Sequence, residues 1–176
     1  MKALKIEIVS DVVCPWCVIG FKNLKKAIKE LENELTFEIS WKPYELHPEI
    51  PTNGYDKELY MQQKFGSNRG KGVYDEIIDI GKDLDFNFNF SKSERIPNTF
   101  LAHRLLWYSK QKNLQNELSE ALFYAYFTEG QDIGSIKILA NIAAGIGLDA
   151  LKVRTFLESE SGINEVVDQE KESLER

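Results

Sequence analysis

The chain has 176 residues, of which 43% are hydrophobic, and 22 Lys and Arg against 28 Asp and Glu give it a formal net charge of −6. This size and composition permit a real hydrophobic core, either as one domain or as one domain with an insertion. The acidic balance and the lack of a basic stripe argue against nucleic acid and anionic membrane surfaces as main partners.

The first residues run directly into a strand-like pattern that contains Lys5 and Glu7, without the apolar segment of a signal peptide. No apolar run reaches the roughly 18 residues that a membrane-spanning helix needs. We therefore expect a soluble protein of the cytosol, where thiols are kept reduced. A closely spaced cysteine pair in that compartment is more typical of catalysis or metal binding than of a structural disulfide.

The first part of the chain predicts a strand, a helix and a second strand. Residues 4–9 alternate apolar and charged side chains, as a strand does, and residues 36–41 alternate again. Between them, apolar residues recur every three or four positions from Cys17 to Leu35, which predicts an amphipathic helix of about five turns. We expect the two strands to be parallel and their crossover to be right-handed.

Helical patterns dominate the remainder. Helices are predicted over 56–65 and 72–84, with Gly66, Gly70 and Gly72 separating them, while residues 86–93 read as a short strand or an extended loop. Further helices are predicted over 98–112, 114–128, 135–145 and 163–175, and one after Asp149, with Asn98, Ser135 and Asp149 at N-terminal positions. No strand-like run and no proline follow residue 97.

The two cysteines stand together as Cys14-Pro15-Trp16-Cys17, at the junction of the first strand and the first helix. The first-turn amides and the helix dipole stabilise a negative sulfur, so we expect the pKa of Cys14 to fall below the free value of about 8.5 and Cys14 to be the attacking thiol. Cys17 lies one turn on and would resolve a mixed disulfide. Pro15 fixes the backbone and Trp16 offers apolar surface, so both should tune the pair.

Two other interpretations of this pair were weighed. A structural zinc site needs four ligands, whereas the two histidines, His47 and His103, are far apart and lack ligand spacing. We therefore predict no metal site. Inert buried thiols are the other alternative, because free cysteine is often buried. The position between strand and helix favours a redox dithiol over both.

Three segments, residues 10–20, 41–46 and 98–105, resemble the cytoplasmic, FrnE-like branch of the DsbA-like thioredoxin-fold oxidoreductases, and the resemblance runs along nearly the whole chain. It implies an α/β fold with a thioredoxin-like strand–helix–strand unit and a large all-helical insertion. It also implies thiol–disulfide oxidoreductase or disulfide isomerase activity. Related hydroxychromene-carboxylate isomerases and kappa-class glutathione transferases usually carry serine at the position of Cys14, which favours dithiol chemistry here.

The same resemblance implies three parts: residues 1–50 begin the thioredoxin-like domain, 51–160 form the helical insertion, and 161–176 start the helix that returns to the first domain. The two C-terminal strands and the cis-proline loop of the family are not visible in the sequence. We expect the chain to be a truncated form of a longer protein, or its sheet to be completed by a partner chain.

The resemblance also bears on ligands. It implies no bound cofactor, protein or small-molecule disulfides as substrates, glutathione or another thiol as co-substrate, and a homodimer. Asn98, His103 and Arg104 are candidate contacts for glutathione or another thiol peptide. Several aromatic residues at helical spacing are expected mainly to pack in the core, with some lining a groove near Cys14: Trp107, Tyr108, Phe123, Tyr124, Tyr126 and Phe127.

Two further functions remain open from the residues and the resemblance. A glutathione-dependent isomerase or transferase would use Cys14 to position the glutathione sulfur, and Cys17 would be dispensable. A non-enzymatic binding module would keep the cysteine pair as a relic or a metal clip and dock a partner on its helices. Substitution of each cysteine in turn separates these functions from dithiol catalysis.

Overall fold

The computed structural model describes residues 2–65 and 71–175 as a small parallel sheet covered by helices. In chain order its elements are β1 (Lys2–Ser10), α1 (Pro15–Leu31), β2 (Leu35–Pro43), β3 (Tyr55–Asp56), α2 (Lys57–Phe65), α3 (Lys71–Asp83), β4 (Arg95–Ile96), α4 (Phe100–Lys110), α5 (Gln115–Phe127), α6 (Ile136–Gly145), α7 (Ala150–Glu158) and α8 (Ile163–Leu174). No helix within these described ranges combines the length and the apolar character that crossing a membrane requires.

The predicted strand–helix–strand unit is confirmed. Strands β1 and β2 pair in parallel over their whole lengths, from Lys2 opposite Leu35 to Ser10 opposite Pro43. The prediction placed Leu35 in the helix, but α1 ends at Leu31, and Leu35 opens β2 instead. The apolar spacing gave a wrong end for the helix, because Leu35 belongs to the sheet, where it pairs with Lys2 of β1.

Residues 86–93 form the extended loop and not the strand. The loop lies between α3 and β4, and its three phenylalanines pack on one another, with ring centroids 4.7 Å apart for Phe86–Phe88 and 5.6 Å for Phe88–Phe90. Phe88 and Phe90 also meet Phe127 edge-on. Their alternation in the sequence therefore reflects core packing of a loop, not a pleated strand.

The short antiparallel pair of β3 and β4 was not predicted, because two residues are too few for any periodic signal. The prediction that Gly72 separates two helices is wrong, since it lies in the first turn of α3. Gly66 and Gly70 lie outside the described residues. Each later helix is present, and its bounds differ from the predicted ones by a few residues.

Two of the three predicted N-terminal residues cap their helices. Asp149 accepts hydrogen bonds from the backbone N–H groups of Leu151 and Lys152, at 2.9 and 3.1 Å. Ser135 stands at the cap of α6 without a side-chain bond. Asn98 precedes the actual cap residue of α4, Thr99, and braces the loop instead, because its amide donates to the Ile50 carbonyl at 2.8 Å.

The core joins the sheet to the helices through Trp41 of β2. This side chain is 3% exposed, and its ring lies 4.7 Å from that of Phe21 in α1 and 5.8 Å from that of Phe123 in α5. The buried Gln115 amide accepts from Trp41 N–H at 2.9 Å and donates to the Trp41 carbonyl at 3.2 Å. One continuous cluster of buried apolar residues therefore spans the strand–helix–strand unit and the helices that follow.

Arg104 of α4 is a buried cation with a structural function. Its guanidinium donates to the carbonyls of Phe156, Leu157, Ser159 and Ser161 at 2.6 to 3.2 Å. These carbonyls belong to the end of α7 and the turn before α8, where a helix end leaves carbonyls without intrahelical donors, and the Phe156 carbonyl also accepts from Ser159 N–H. Arg104 thereby fixes the direction in which α8 leaves α7 and reaches β2.

We predict that Arg104→Gln lowers the free energy of unfolding by about 3 kcal/mol, because one buried and three part-buried carbonyls lose a charged donor. Urea unfolding at neutral pH measures the change. Arg154→Gln is the matched control, since Arg154 lies on α7 and is exposed. Equal stabilities of the two variants would contradict the assigned function of Arg104.

Candidate active site

The Cys14–Cys17 pair lies where β1 passes into α1, as the sequence predicts. Cys14 is the N-cap of α1, with an extended backbone (φ −91°, ψ 111°), and Pro15 is the first helical residue. Cys14 N–H donates to the Asp11 carbonyl at 3.1 Å, and the Cys14 carbonyl accepts from Cys17 N–H at 3.1 Å. Both thiols are free and half-buried, whereas the indole of Trp16 is 50% exposed.

The two sulfurs interact and thereby separate their pKa values. A hydrogen bond from the Cys14 thiol lowers the pKa of Cys17 to about 6 against the opposing effect of burial, and the Ser10 hydroxyl and the Asp11 N–H stabilise the same thiolate. The pKa of Cys14 is raised, first because its proton is held by Cys17 and then because burial disfavours its charge. The two thiols together lose one proton near neutral pH and retain the other, so the pair then consists of one thiolate and one thiol.

The hydrogen bond between the two sulfurs acts against the effect of the helix N-terminus on Cys14. The first-turn amides of Trp16 and Cys17 do favour a Cys14 thiolate, as expected, although neither makes a cap hydrogen bond to its sulfur. The hydrogen bonds from Cys14, Ser10 and the Asp11 N–H to the Cys17 sulfur oppose the effect of these amides. The pair therefore shares one proton near neutral pH, and the identity of the attacking sulfur stays a prediction.

A buried carboxylate supports the loop that carries the pair. Asp11 is 1% exposed, and its Oδ2 accepts from Leu46 N–H at 2.8 Å. Its Oδ1 lies 3.4 Å from His103 Nε2, close enough for an ion pair when the imidazole is protonated. The two groups are not aligned for a hydrogen bond, and His103 Nε2 has no such partner among the described residues. Asp11 thus ties the loop to the end of β2 and faces α4.

Glu45 is a titratable neighbour that the sequence did not single out. Its carboxyl is half-buried near Asp11 and His103, and its backbone N–H donates to a carboxylate oxygen of Glu170 on α8. Burial, followed by repulsion from Glu170, raises the pKa of Glu45 to about 7. No sequence motif predicts the raised pKa of Glu45, because Glu170 lies 125 positions away in the sequence.

An aromatic cavity of about 190 Å³ lies beside the pair. Val13 and Pro15, the neighbours of Cys14, form one side of it. The remaining lining is largely apolar and comprises Leu46, His47, Lys57, Tyr60, Tyr74, Phe90, Ser93, Ile96, Tyr126 and Phe127. Two of the aromatic residues expected near Cys14, Tyr126 and Phe127, are there. Lys57 and Phe90 were missed, since only the fold brings their segments together.

The three residues predicted to contact a thiol ligand are Asn98, His103 and Arg104. His103 and Arg104, expected as candidate contacts for glutathione or another thiol peptide, are 2% and 3% exposed, so any contact of theirs with a ligand stays a prediction. Asn98 is half-buried, and its side chain holds backbone groups on both sides, accepting from Phe100 N–H at 3.0 Å. Its contact with a ligand stays a prediction. The buried polar residues of α4 support the site instead of lining it.

A family model described as the DSBA-like thioredoxin domain matches residues 5–176 of this chain. The chain belongs to this family. Its members are disulfide oxidoreductases and isomerases, and the family, fold class and strand–helix–strand arrangement expected from the sequence are thereby confirmed. The family does not by itself establish which of these activities this member has.

Three relatives illustrate the similarity. The uncharacterized protein YwbO of Bacillus subtilis (strain 168) is 31% identical over 159 residues, which are 88% of this chain and 72% of that protein. A probable DsbA oxidoreductase from Streptomyces coelicolor aligns with TM-score 0.85 at 23% identity, covering 97% of this chain and 75% of the other. A 2-hydroxychromene-2-carboxylate isomerase aligns with TM-score 0.68 at 15% identity, covering 98% and 80%. The two structural similarities concern the fold.

We predict that the pair releases its first proton with a pKa of about 6 and that the reactivity toward iodoacetamide follows it. The thiolate is the reactive form, so the rate should fall about tenfold for each pH unit below this value and level off above it. Ser10→Ala removes a donor to the thiolate and should raise that pKa by about 1. Thiolate ultraviolet absorbance across pH measures both proteins.

The control for this titration is Ser91→Ala, which removes an exposed hydroxyl in the loop before β4. It should leave the titration unchanged. A first pKa at or above the free thiol value of about 8.5 in the wild-type protein would contradict the assigned interactions.

We predict that Glu45→Gln stabilises the protein at pH 8 by about 1 kcal/mol and has little effect at pH 4, with the half-buried position limiting the gain. A raised folded pKa means that stability is present below the unfolded pKa and is lost as the pH rises through about 7. Urea unfolding at both pH values measures the difference. Glu30→Gln, an exposed change on α1, should show no such pH dependence.

Proposed function

We propose that this protein is a thiol–disulfide oxidoreductase whose Cys14 and Cys17 alternate between dithiol and disulfide. Its family supports the general class, and one observation carries the finer assignment. Two half-buried thiols at the start of α1 share a single proton near neutral pH, because the Cys17 pKa is lowered to about 6 while that of Cys14 is raised. A thiolate and a thiol in contact are the starting state for disulfide exchange.

In the first step, Cys14 attacks a substrate disulfide. Cys14 is favoured as the attacking group because its neighbours Val13 and Pro15 line the cavity, whereas Cys17 faces Ser10 and Asp11. The Cys14 proton passes to the Cys17 thiolate as the bond from Cys14 Sγ to the substrate sulfur forms. The substrate S–S bond breaks and releases one thiolate. This produces a mixed disulfide beside a protonated Cys17.

In the second step, Cys17 resolves the mixed disulfide. Its proton passes to the released thiolate or to water, and Cys17 Sγ bonds to Cys14 Sγ while the second substrate thiolate leaves. The substrate gains two electrons and the cysteine pair loses them. Two molecules of a thiol such as glutathione would return the pair to the dithiol by the same exchange in reverse.

The substrates we propose are protein disulfides or small-molecule disulfides, with glutathione or another thiol as the co-substrate. We place the reaction in the cytosol, as expected from the sequence, where glutathione keeps thiols reduced and can regenerate the pair. Reversal of the two steps oxidises or rearranges protein thiols. The direction in a cell therefore depends on the potential of the pair relative to that of the thiol pool.

We predict that Cys14→Ser and Cys17→Ser both abolish glutathione-dependent turnover of insulin disulfides, because each step needs one sulfur. Cys17→Ser should still form a mixed disulfide at Cys14, which mass spectrometry of the intact protein detects. Trp16→Phe is the control, since it changes an exposed residue of the motif and leaves both sulfurs. We expect it to retain turnover within a few-fold.

Other results would redirect the assignment. Full turnover by Cys17→Ser would favour a glutathione-dependent isomerase or transferase, in which the second cysteine is dispensable. A mixed disulfide at Cys17 in Cys14→Ser, with none at Cys14 in Cys17→Ser and turnover lost in both, would reverse the two roles. Wild-type thiols that do not react at neutral pH would favour a binding module without catalysis.

A further inference from the structure

The aromatic cavity lies next to the segment that carries Cys14, and the exchange steps above assign it no ligand. Val13 and Pro15 flank Cys14 in the chain and both line the cavity. We therefore infer that a group attached to a sulfur bonded to Cys14 reaches this space past Val13 or Pro15. The cavity is a candidate for recognition of whatever the substrate carries next to its disulfide.

The size of the cavity limits its occupant to about one ring. Its volume of about 190 Å³ is below the range of roughly 300 to 1,000 Å³ of pockets for drug-sized ligands. An apolar cavity of about 150 Å³ binds benzene. The walls are already packed, because Tyr74 stacks on Phe90 at 4.4 Å and Phe90 meets Phe127 at 5.9 Å. A single aromatic ring fits this volume and these walls.

One cation reaches this aromatic lining. Lys57 Nζ lies 5.9 Å from the ring centroids of both Tyr74 and Phe90, and it donates a hydrogen bond to the Phe90 carbonyl. An ammonium group has three donors, so this bond leaves two. Burial lowers the pKa of Lys57 because the charge has lost part of its water. A carboxylate in the cavity would supply the missing acceptors and an opposite charge.

Neighbouring acids do not neutralise this cation. Lys57 also borders a polar cleft that contains Asp56, Glu58 and Glu94. Among the described residues, none of these carboxylates forms an ion pair with Lys57, whose recorded contacts are the Phe90 carbonyl and the two rings. The positive charge therefore remains available to an anion that enters from the aromatic side.

We propose that the aromatic cavity binds the part of a disulfide substrate that carries one aromatic ring and a carboxylate, with the carboxylate on Lys57. This proposal rests on the proposed exchange at Cys14 and names the substrate class of that site. The ring occupies the space between Pro15 and the aromatic walls, and the carboxylate holds its sulfur beside Cys14. Lys57 is thus a specificity residue for aryl or arylalkyl disulfides that bear an acid group.

The test compares two aryl disulfides as probes. Dithiobis(nitrobenzoate) has a carboxylate on each ring, and dithiodipyridine has rings without one. With either probe, Cys14 forms a mixed disulfide and releases one aryl thiolate, and Cys17 then closes the protein disulfide and releases the second. Two electrons pass to the probe in both cases, so the released chromophore reports the rate of each reaction.

We expect Lys57→Met to slow the reaction with dithiobis(nitrobenzoate) about tenfold or more, since a charged hydrogen bond is lost. Its reaction with dithiodipyridine should stay within about twofold of wild type, and its circular dichroism spectrum should match that of the wild-type protein. Lys57→Arg should retain most of the rate. Lys29→Met, which removes the charge of an exposed lysine on α1, is the matched control and should leave both rates unchanged.

A competition experiment reads out binding without exchange. Benzoate should slow the reaction of the wild-type protein with dithiodipyridine, whereas acetate at equal concentration should not, and benzoate should have no effect on Lys57→Met. Equal effects of benzoate and acetate, or equal slowing of both probes by Lys57→Met, would overturn the proposal. Failure of the exchange itself would be distinct, because the wild-type protein would then react with neither probe.

Discussion

The buried carboxylate of Asp11 is the constraint on which the site depends. A carboxylate that is 1% exposed needs hydrogen-bond donors, and Asp11 accepts from Leu46 N–H and lies 3.4 Å from His103 Nε2 without a hydrogen bond to it. These contacts join the loop before α1 to the end of β2 and to α4. The backbone of the same residue accepts from Cys14 N–H and acts on the Cys17 sulfur. One buried acid therefore sets where the helix begins and where both sulfurs lie.

The chemistry of the pair follows from how a single proton is shared. A helix N-terminus alone would favour a thiolate on its first sulfur. Here the second sulfur has more donors, from Ser10, from Asp11 and from Cys14 itself, so it carries the negative charge at rest. This arrangement gives Cys14 a base in contact with it. Attack by Cys14 and proton transfer to Cys17 can then occur together, which avoids an isolated charge in a half-buried site.

In the proposed function, the helical segment contributes recognition of the substrate. The stacked rings of Tyr74 and Phe90 and the edge of Phe127 make a wall opposite Pro15, and Lys57 adds one charge to it. The polar residues of α4 have another task. Arg104 holds the turn between α7 and α8, and α8 in turn packs on β2 and brings Glu170 to Glu45. The surroundings of the dithiol therefore depend on residues far from it in the chain.

The sequence by itself determined the features that arise from neighbouring residues. Alternation and helical spacing were enough for β1, α1 and β2, and the position of Cys14 and Cys17 at the start of α1 follows from that order. Asp149 capped its helix as expected, because capping is a local bond. Local patterns did not predict the environment of residues that contact distant parts of the chain. Leu35 pairs in the sheet, Phe88 and Phe90 pack in a loop, and His103 and Arg104 lie in the interior.

The distribution of charge in the site depends on the folded structure. The raised pKa of Glu45 depends on burial and on Glu170, and Lys57 bonds to Phe90 from 33 positions away, whereas the pKa of Cys17 is lowered by its sequence neighbours Cys14, Ser10 and Asp11. Electrostatic effects act through space and become stronger where water is excluded. They therefore cannot be predicted from the spacing of residues in the sequence. The sequence identified the two sulfurs, and the fold determined which of them carries the charge.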